Sequence, residues 1–190
     1  VILQGPPGTG KTRLAKLVAK QLTQTERKGT PQEIIDSLVK SFDTQSNEAK
    51  LARTKNDKLL SRFYESFPQD KLSSLSLPEY AIGHGDQDSL CWWLEVGLES
   101  LGRFSPGFSN NYPIYWSKSN NRYMLNNKVA GATNAQSAME LVSNELSKLI
   151  QKTDLDDSIK FFGPCFALKL LHSYFPDEYF PINSVNALNN

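Results

Sequence analysis

The chain has 190 residues, of which 39% are hydrophobic and 22% charged, and this composition suits a soluble globular protein of one large or two small domains. No apolar run approaches the ~18–20 residues that a membrane-spanning helix needs, so the sequence predicts no membrane partner. The formal net charge of +1 indicates no global nucleic-acid surface, although residues 1–66 hold 12 Lys and Arg against 7 Asp and Glu while residues 67–190 hold 9 against 13.

The chain begins with a short apolar stretch, a G-x-x-x-x-G-K-T pattern over 5–12 and apolar residues at helical spacing to about residue 24. This order is typical of the strand, phosphate-binding loop and helix that open an α/β nucleotide-binding module. The glycines let backbone N–H groups point at an anion, Lys11 adds a charge for the β- and γ-phosphates, and the Thr12 hydroxyl is the expected Mg²⁺ ligand. Because the loop contacts phosphates and not the base, ATP and GTP are both open. The predicted nucleotide-binding residues are Gly5, Pro6, Pro7, Gly8, Thr9, Gly10, Lys11 and Thr12.

The patterns divide the chain into three predicted parts. They are an N-terminal piece of a P-loop nucleotide-binding module over 1–24, a helical linker over 25–62, and a mostly α-helical α+β accessory domain with a small β-hairpin over 63–190. In the linker, Thr30 and Glu33 form a capping box that begins a helix over 31–42. A second helix over 48–67 ends before Pro68.

The accessory domain begins with a short Ser-rich piece over 72–78 and a turn over 83–86. A helix over 87–101 follows, with Gly102 as its stop, and then a hairpin with strands over 112–117 and 122–125. The last predicted elements are a helix from a capping box at 133–136 to about 152, a loop or helical turn over 154–162, and a helix from Pro164 that Pro176 closes.

Trp92 and Tyr115 are the aromatic side chains that the helical and strand periodicities place off the buried faces of this domain. If the domain reads DNA, these two are the candidates for stacking an extruded base. The alternative is that the aromatic residues around the hairpin are ordinary core packing.

Cys91 and Cys165 lie far apart in apolar contexts and are predicted to be buried, reduced thiols of a cytoplasmic protein. The two histidines, His84 and His172, are not spaced as a metal-binding pair, and we expect ordinary loop or core roles for them. The sequence therefore predicts no metal site besides that of Thr12.

A working P-loop motor also needs an apolar strand that ends in Asp or Asp-Glu, and an arginine finger. Neither is found in the sequence, so the catalytic residues are expected to lie outside this chain. We expect the chain to be a piece of a longer protein and to be inactive alone in nucleotide hydrolysis.

Residues 1–19, VILQGPPGTGKTRLAKLVA, resemble the opening of the AAA+ module in McrB-type proteins, the motor subunits of modification-dependent restriction systems. Residues 63–80, 88–102 and 162–182 resemble an accessory region found in AAA-family ATPases of that group. This resemblance implies a hexameric motor that hydrolyses ATP or GTP with Mg²⁺, works with a nuclease subunit and acts on DNA in antiviral defence. The chain departs from the family in two ways: the accessory region follows the phosphate loop, and RFSPG after Gly102 replaces a more glycine-rich run.

Two other classes of protein remain open. One is a DNA- or protein-binding accessory module of a defence protein. Measuring the affinity of the isolated chain for nucleotide and for DNA would distinguish such a module from a motor. The other is an AAA+ remodelling chaperone with a protein substrate, which capture of a nuclease subunit would argue against.

Overall fold

The computed structural model describes residues 30–41, 43–84, 88–102, 104 and 111–179. Within these ranges the protein is mostly helical with one two-stranded antiparallel sheet, which confirms the prediction for the accessory part. The predicted strand, phosphate loop and helix over 1–24 lie outside the described residues, so the α/β start stays a prediction. By its contacts the chain divides into two compact units, Val1–Lys58 and Leu59–Asn190.

Helix α1 spans Pro31–Ser41 and helix α2 spans Asn47–Ser66, each within one residue of its predicted ends. The capping box before α1 is present: Thr30 N donates to Glu33 Oε2 over 2.7 Å, and Glu33 N donates to Thr30 Oγ1 over 3.3 Å. Local side-chain chemistry is thus sufficient to explain where α1 begins.

After Pro68 the Ser-rich piece forms a 3₁₀ turn, Gln69–Ser74, and a short helix α3, Leu77–Tyr80. Ser76 and Glu79 form the capping box of α3, and the Tyr80 ring at its end is fully buried.

The single helix predicted over 87–101 is wrong in its start and in its regularity. Helix α4 covers only Leu90–Trp92 with Ser89 as its N-cap, and it continues as a π-helical turn, Trp93–Gly97, and a 3₁₀ turn, Glu99–Leu101. The wide turn is closed by Leu98 N, which donates to Trp93 O over 2.7 Å. It brings the Gly97 backbone so close to the Trp93 ring that a Cβ at Gly97 would lie 2.5 Å from Trp93 Cε3.

The predicted hairpin is confirmed as strands β1, Ile114–Ser117, and β2, Arg122–Leu125. The strands are antiparallel, with Tyr115 opposite Met124 and Trp116 opposite Tyr123. The turn that precedes α4 lies along β1, where Trp116 N donates to Ile82 O over 3.2 Å.

A short 3₁₀ turn, Asn127–Val129, leads to helix α5, Ala135–Gln151. Its capping box is one residue later than predicted, because Asn134 accepts from Ser137 N over 2.9 Å and so replaces Thr133 as the N-cap.

The predicted loop or helical turn over 154–162 is an eight-residue helix α6, Leu155–Phe162. Helix α7 spans Pro164–Tyr174 with proline at its first position, as predicted. Gly163 links α6 to α7 with a φ of +89°, a conformation that favours glycine.

The core of the second unit forms between the end of α2, the 3₁₀ turn at 69–74, α4, β1, α5 and α7. Two tyrosine hydroxyls join α2 to α7: Tyr64 donates to Ser173 O over 2.7 Å and Tyr174 donates to Phe67 O over 2.6 Å. The fully buried apolar side chains include Phe63, Leu72, Tyr80, Leu90, Leu94, Leu98, Ile114, Val142, Leu146, Leu149, Leu170 and Leu171.

Candidate functional site

The predicted phosphate loop, residues 5–12, lies outside the described residues. It includes Lys11 and the expected Mg²⁺ ligand Thr12. Within the described part of the chain, no group of three or more His, Cys, Asp or Glu side chains is placed to hold a metal ion.

Trp92 is half-buried and packs against the core of the second unit. Its ring meets the Trp93 ring edge-on, with 5.6 Å between centroids and 85° between planes. Its Cζ3 would lie 3.1 Å from a Cβ at Gly97. Trp92 therefore contributes to packing as well as to the surface of the domain.

Tyr115 is also half-buried and lies opposite Met124 in the hairpin. Its side chain is on the face of the hairpin opposite to that of Ile114 and Trp116. Ile114 is fully buried, whereas Tyr115 and Trp116 are both half-buried, so the exposure along β1 does not alternate as predicted. No ring contact joins Trp92 to Tyr115 among the described residues. The structure therefore does not build one stacking slot from the two candidates.

A cluster of three rings lies on the Trp116 face of the hairpin. Trp116 and Tyr123 are neighbours across the strands, with centroids 4.9 Å apart. His84 completes the cluster, 4.3 Å from Trp116 in an edge-on arrangement and 5.4 Å from Tyr123 in a stacked one. Sequence reasoning missed His84 here, because its position depends on the turn at 82–84 lying along β1.

A cavity of about 280 Å³ lies where the 3₁₀ turn after β2, the end of α6 and the start of α7 meet. Its walls combine aromatic rings with two amide side chains, one lysine and one thiol. The lining residues are Phe104, Asn111, Tyr112, Asn126, Lys128, Phe162, Gly163, Pro164, Cys165 and Phe166.

The aromatic wall of this cavity is a connected set of rings. Phe162 and Phe166 stack with centroids 4.7 Å apart and planes 17° apart. Phe166 also meets Phe104 and Tyr112 edge-on, each at 6.2 Å. Tyr112 is held in place through its hydroxyl, which donates to Glu95 Oε2 over 2.9 Å.

The cation of the cavity is Lys128. Its Nζ donates to Phe162 O, at the end of α6, over 2.8 Å. Its backbone N donates to Asn126 Oδ1 over 2.8 Å, which fixes the 3₁₀ turn that carries it. Although much of the residue is exposed, burial of the ammonium end lowers the pKa of Lys128. No described carboxylate lies within ion-pair distance of this ammonium.

The prediction that both cysteines are buried is correct for Cys91 and wrong for Cys165. Cys91 is fully buried, and burial raises the pKa of its thiol. Cys165 is exposed at the cavity, because Pro164 begins α7 in an orientation that turns Phe166 and Ala167 into the core instead.

Nothing in the sequence predicted that Lys169 is buried. It is fully buried, and its Nζ donates to Leu98 O over 2.7 Å and to Gly102 O over 2.6 Å. Burial lowers the pKa of Lys169 to about 7. This ammonium ties α7 to the end of the segment that begins with α4.

None of the helices in the described ranges is both long enough and apolar enough to cross a membrane.

Residues 1–55 match the model of the AAA family, the ATPase family associated with various cellular activities. This match contains the whole pattern over 5–12, and it supports an AAA-family ATPase fragment that binds nucleotide. Comparison with curated proteins and with solved structures gave no significant match.

Proposed function

We propose that residues 5–12 hold Mg-nucleotide in an AAA+ motor of the McrB type, and that the second compact unit is its accessory domain. The observation that carries the proposal is the complete G-x-x-x-x-G-K-T pattern inside the AAA match over 1–55. Lys11 neutralises the β- and γ-phosphates and the Thr12 hydroxyl binds Mg²⁺, as in other loops with this pattern.

The McrB-type role is supported by the resemblance of residues 63–80, 88–102 and 162–182 to the accessory region of that group. In this role the full-length protein forms a homo-oligomer, a hexamer in the family it resembles, works with a nuclease subunit and acts on DNA. The chain described here lacks a recognisable acidic strand and arginine finger, so by itself it binds nucleotide without turning it over. An arginine finger alone is worth about 10³–10⁵ in rate.

Hydrolysis by the full-length protein tests this proposal against its rivals. ATP and GTP turnover is measured alone, with duplex DNA, and with an unfolded protein, and Lys11→Ala gives the background rate. A DNA-acting motor is stimulated by DNA and not by the unfolded protein. Stimulation by the unfolded protein alone would assign the chain to a remodelling chaperone instead.

DNA contact through Trp92 and Tyr115 is a separate part of the proposal. Both rings are half-buried, so each keeps some surface on which a base can stack. The second unit holds 10 Lys and Arg against 14 Asp and Glu, which gives it little general attraction for a phosphate backbone. Stacking of one base on an aromatic ring therefore fits this domain better than extended contact with the phosphate backbone of DNA.

A further inference from the structure

The cavity beside α7 combines three features that favour an anionic aromatic ligand. It has a wall of aromatic rings, an ammonium group without a described carboxylate partner, and the first turn of an α-helix. Its volume of about 280 Å³ lies just below the range of about 300–1,000 Å³ that is typical of drug-sized ligands, so it suits a smaller molecule.

The positive side of the cavity comes from two sources. An ammonium group carries three N–H donors, and Phe162 O accepts one from Lys128. Helix α7 has 11 residues and no side-chain cap, and its first backbone i to i−4 bond is donated by Ala167 N to Gly163 O. The N–H groups of Cys165 and Phe166 precede that bond, so they have no partner of this kind within the helix.

The apolar side comes from Phe104, Phe162 and Phe166, whose rings are already ordered by contact with one another. A flat ring gains contact area and favourable ring geometry on such a wall without the cost of ordering it. An ordinary capping role for Lys128 at the end of α6 explains the bond to Phe162 O. It does not explain why an open cavity lined by four aromatic rings lies beside the remaining donors.

We propose that this cavity binds a small aromatic anion, a flat ring that carries a carboxylate or a phosphate monoester. The ring packs against Phe104, Phe162 and Phe166, and the anionic group accepts hydrogen bonds from Lys128 Nζ and the start of α7. The net acidic charge of the second unit favours a small ligand over a polyanion at this place. None of the lining residues belongs to the predicted phosphate loop, and the inference does not depend on the function proposed above.

Cys165 is a reporter of occupancy, because it lines the cavity and is exposed while Cys91 is fully buried. The rate at which iodoacetamide alkylates Cys165 is followed by mass spectrometry in the whole 190-residue chain. The probes are 2-naphthoate, its neutral counterpart 2-naphthamide, and inorganic phosphate. We expect saturating 2-naphthoate to slow alkylation about tenfold, and 2-naphthamide to require at least tenfold higher concentration for the same protection.

A second pair of probes separates the two anionic groups. Alkylation is repeated with 5′-AMP and adenosine in Lys11→Ala protein, so that the predicted phosphate loop does not contribute. Protection by 5′-AMP at lower concentration than by 2-naphthoate assigns a phosphate monoester, and the reverse assigns a carboxylate. Equal protection by inorganic phosphate alone would overturn the role of the ring.

Lys128→Met tests the cation, with Lys118→Met in the exposed hairpin turn as the matched control. We expect Lys128→Met to weaken 2-naphthoate protection at least tenfold and to leave 2-naphthamide unchanged, while Lys118→Met changes neither. The comparison of charged and neutral probes in the unsubstituted chain stands even if Lys128→Met does not fold. Equal protection by the two probes, or no protection by either anion at millimolar concentration, would overturn the proposal.

Discussion

The ammonium group of Lys169 donates a hydrogen bond of 2.6 Å to the backbone carbonyl of Gly102, which precedes it by 67 residues. A second bond, of 2.7 Å, goes to Leu98 O. Gly102 has a φ of +113° and ends the segment that α4 begins. Leu98 O also accepts from Leu101 N over 3.0 Å, so Lys169 is its second donor. Lys169 reaches both carbonyls from the middle of α7.

Replacing this lysine is expected to destabilise the second unit. Lys169→Met keeps most of the side-chain volume but removes the lysine donor from the Gly102 carbonyl, and it leaves Leu98 O with the bond from Leu101 N. We expect a loss of about 1–3 kcal/mol in the free energy of unfolding, measured by urea denaturation. Lys160→Met is the control, because its side chain is 76% exposed and its ion pair with Asp157 contributes little. Equal stability of the two variants would contradict the role given to Lys169.

The same lysine predicts a pH dependence of stability. Burial lowers the pKa of Lys169 to about 7, from an ordinary value of 10.5. Between these values the unfolded chain binds a proton at this site that the folded chain does not, so the free energy of unfolding rises with pH. Below about pH 7 both states are protonated and this contribution to the slope disappears.

The measurement is the difference in unfolding free energy between the unsubstituted chain and Lys169→Met, taken from pH 6 to pH 9. We expect the difference to grow above pH 7 by at most about 1.4 kcal/mol per pH unit. Parallel profiles over the whole range would show that Lys169 does not lose its proton in the folded protein.

Because of the π-helical turn, alanine substitutions at Gly97 and Gly131 are expected to differ sharply in their effect on stability. Gly97→Ala places a methyl group 2.5 Å from Trp93 Cε3, so the ring or the backbone must move. We expect a loss of about 1–3 kcal/mol in thermal or chemical denaturation. At Gly131 a Cβ meets nothing within 4 Å, so Gly131→Ala is expected to be neutral or slightly stabilising. Similar effects at both positions would contradict the contact between Gly97 and the Trp93 ring.

Alanine substitutions at Trp92 and Tyr115, the two candidates for DNA contact, are expected to differ in their effects on stability and on DNA binding. Trp92→Ala removes a ring that packs on Trp93 and the core, so it lowers the melting temperature. Tyr115→Ala is expected to weaken single-stranded DNA binding with a smaller loss of stability, and Tyr115→Phe to keep the binding because the stacking face remains. Unchanged DNA affinity in Tyr115→Ala, measured by fluorescence anisotropy, would remove Tyr115 from the interface.

The elements that the sequence predicts well are those whose cause is local. The capping box of Thr30 and Glu33, the hairpin at 114–125 and the helix that begins at Pro164 all rest on residues a few positions apart. The one-residue error at Asn134 arose because Thr133 and Asn134 are both good N-caps, and only the bond to Ser137 N selects between them.

The features that the sequence does not predict depend on residues distant along the chain. The cavity needs Phe104, Lys128 and Phe166 to meet, and the ring cluster needs His84 to reach the hairpin. Lys169 lies in an apolar helix pattern, where a lysine ordinarily extends to solvent, and its burial follows from carbonyls 67 and 71 residues away.

Nucleotide binding through residues 5–12 is tested most directly by titrating full-length protein with Mg-ATP and Mg-GTP in a calorimeter. Lys11→Ala is compared with Lys16→Ala, a lysine outside the pattern in the segment that follows it. We expect Lys11→Ala to abolish measurable binding while its circular dichroism spectrum stays unchanged, because Lys11 acts on the phosphates, and Lys16→Ala to bind as the unsubstituted protein does. Binding by Lys11→Ala as tight as that of the unsubstituted protein would contradict the phosphate loop.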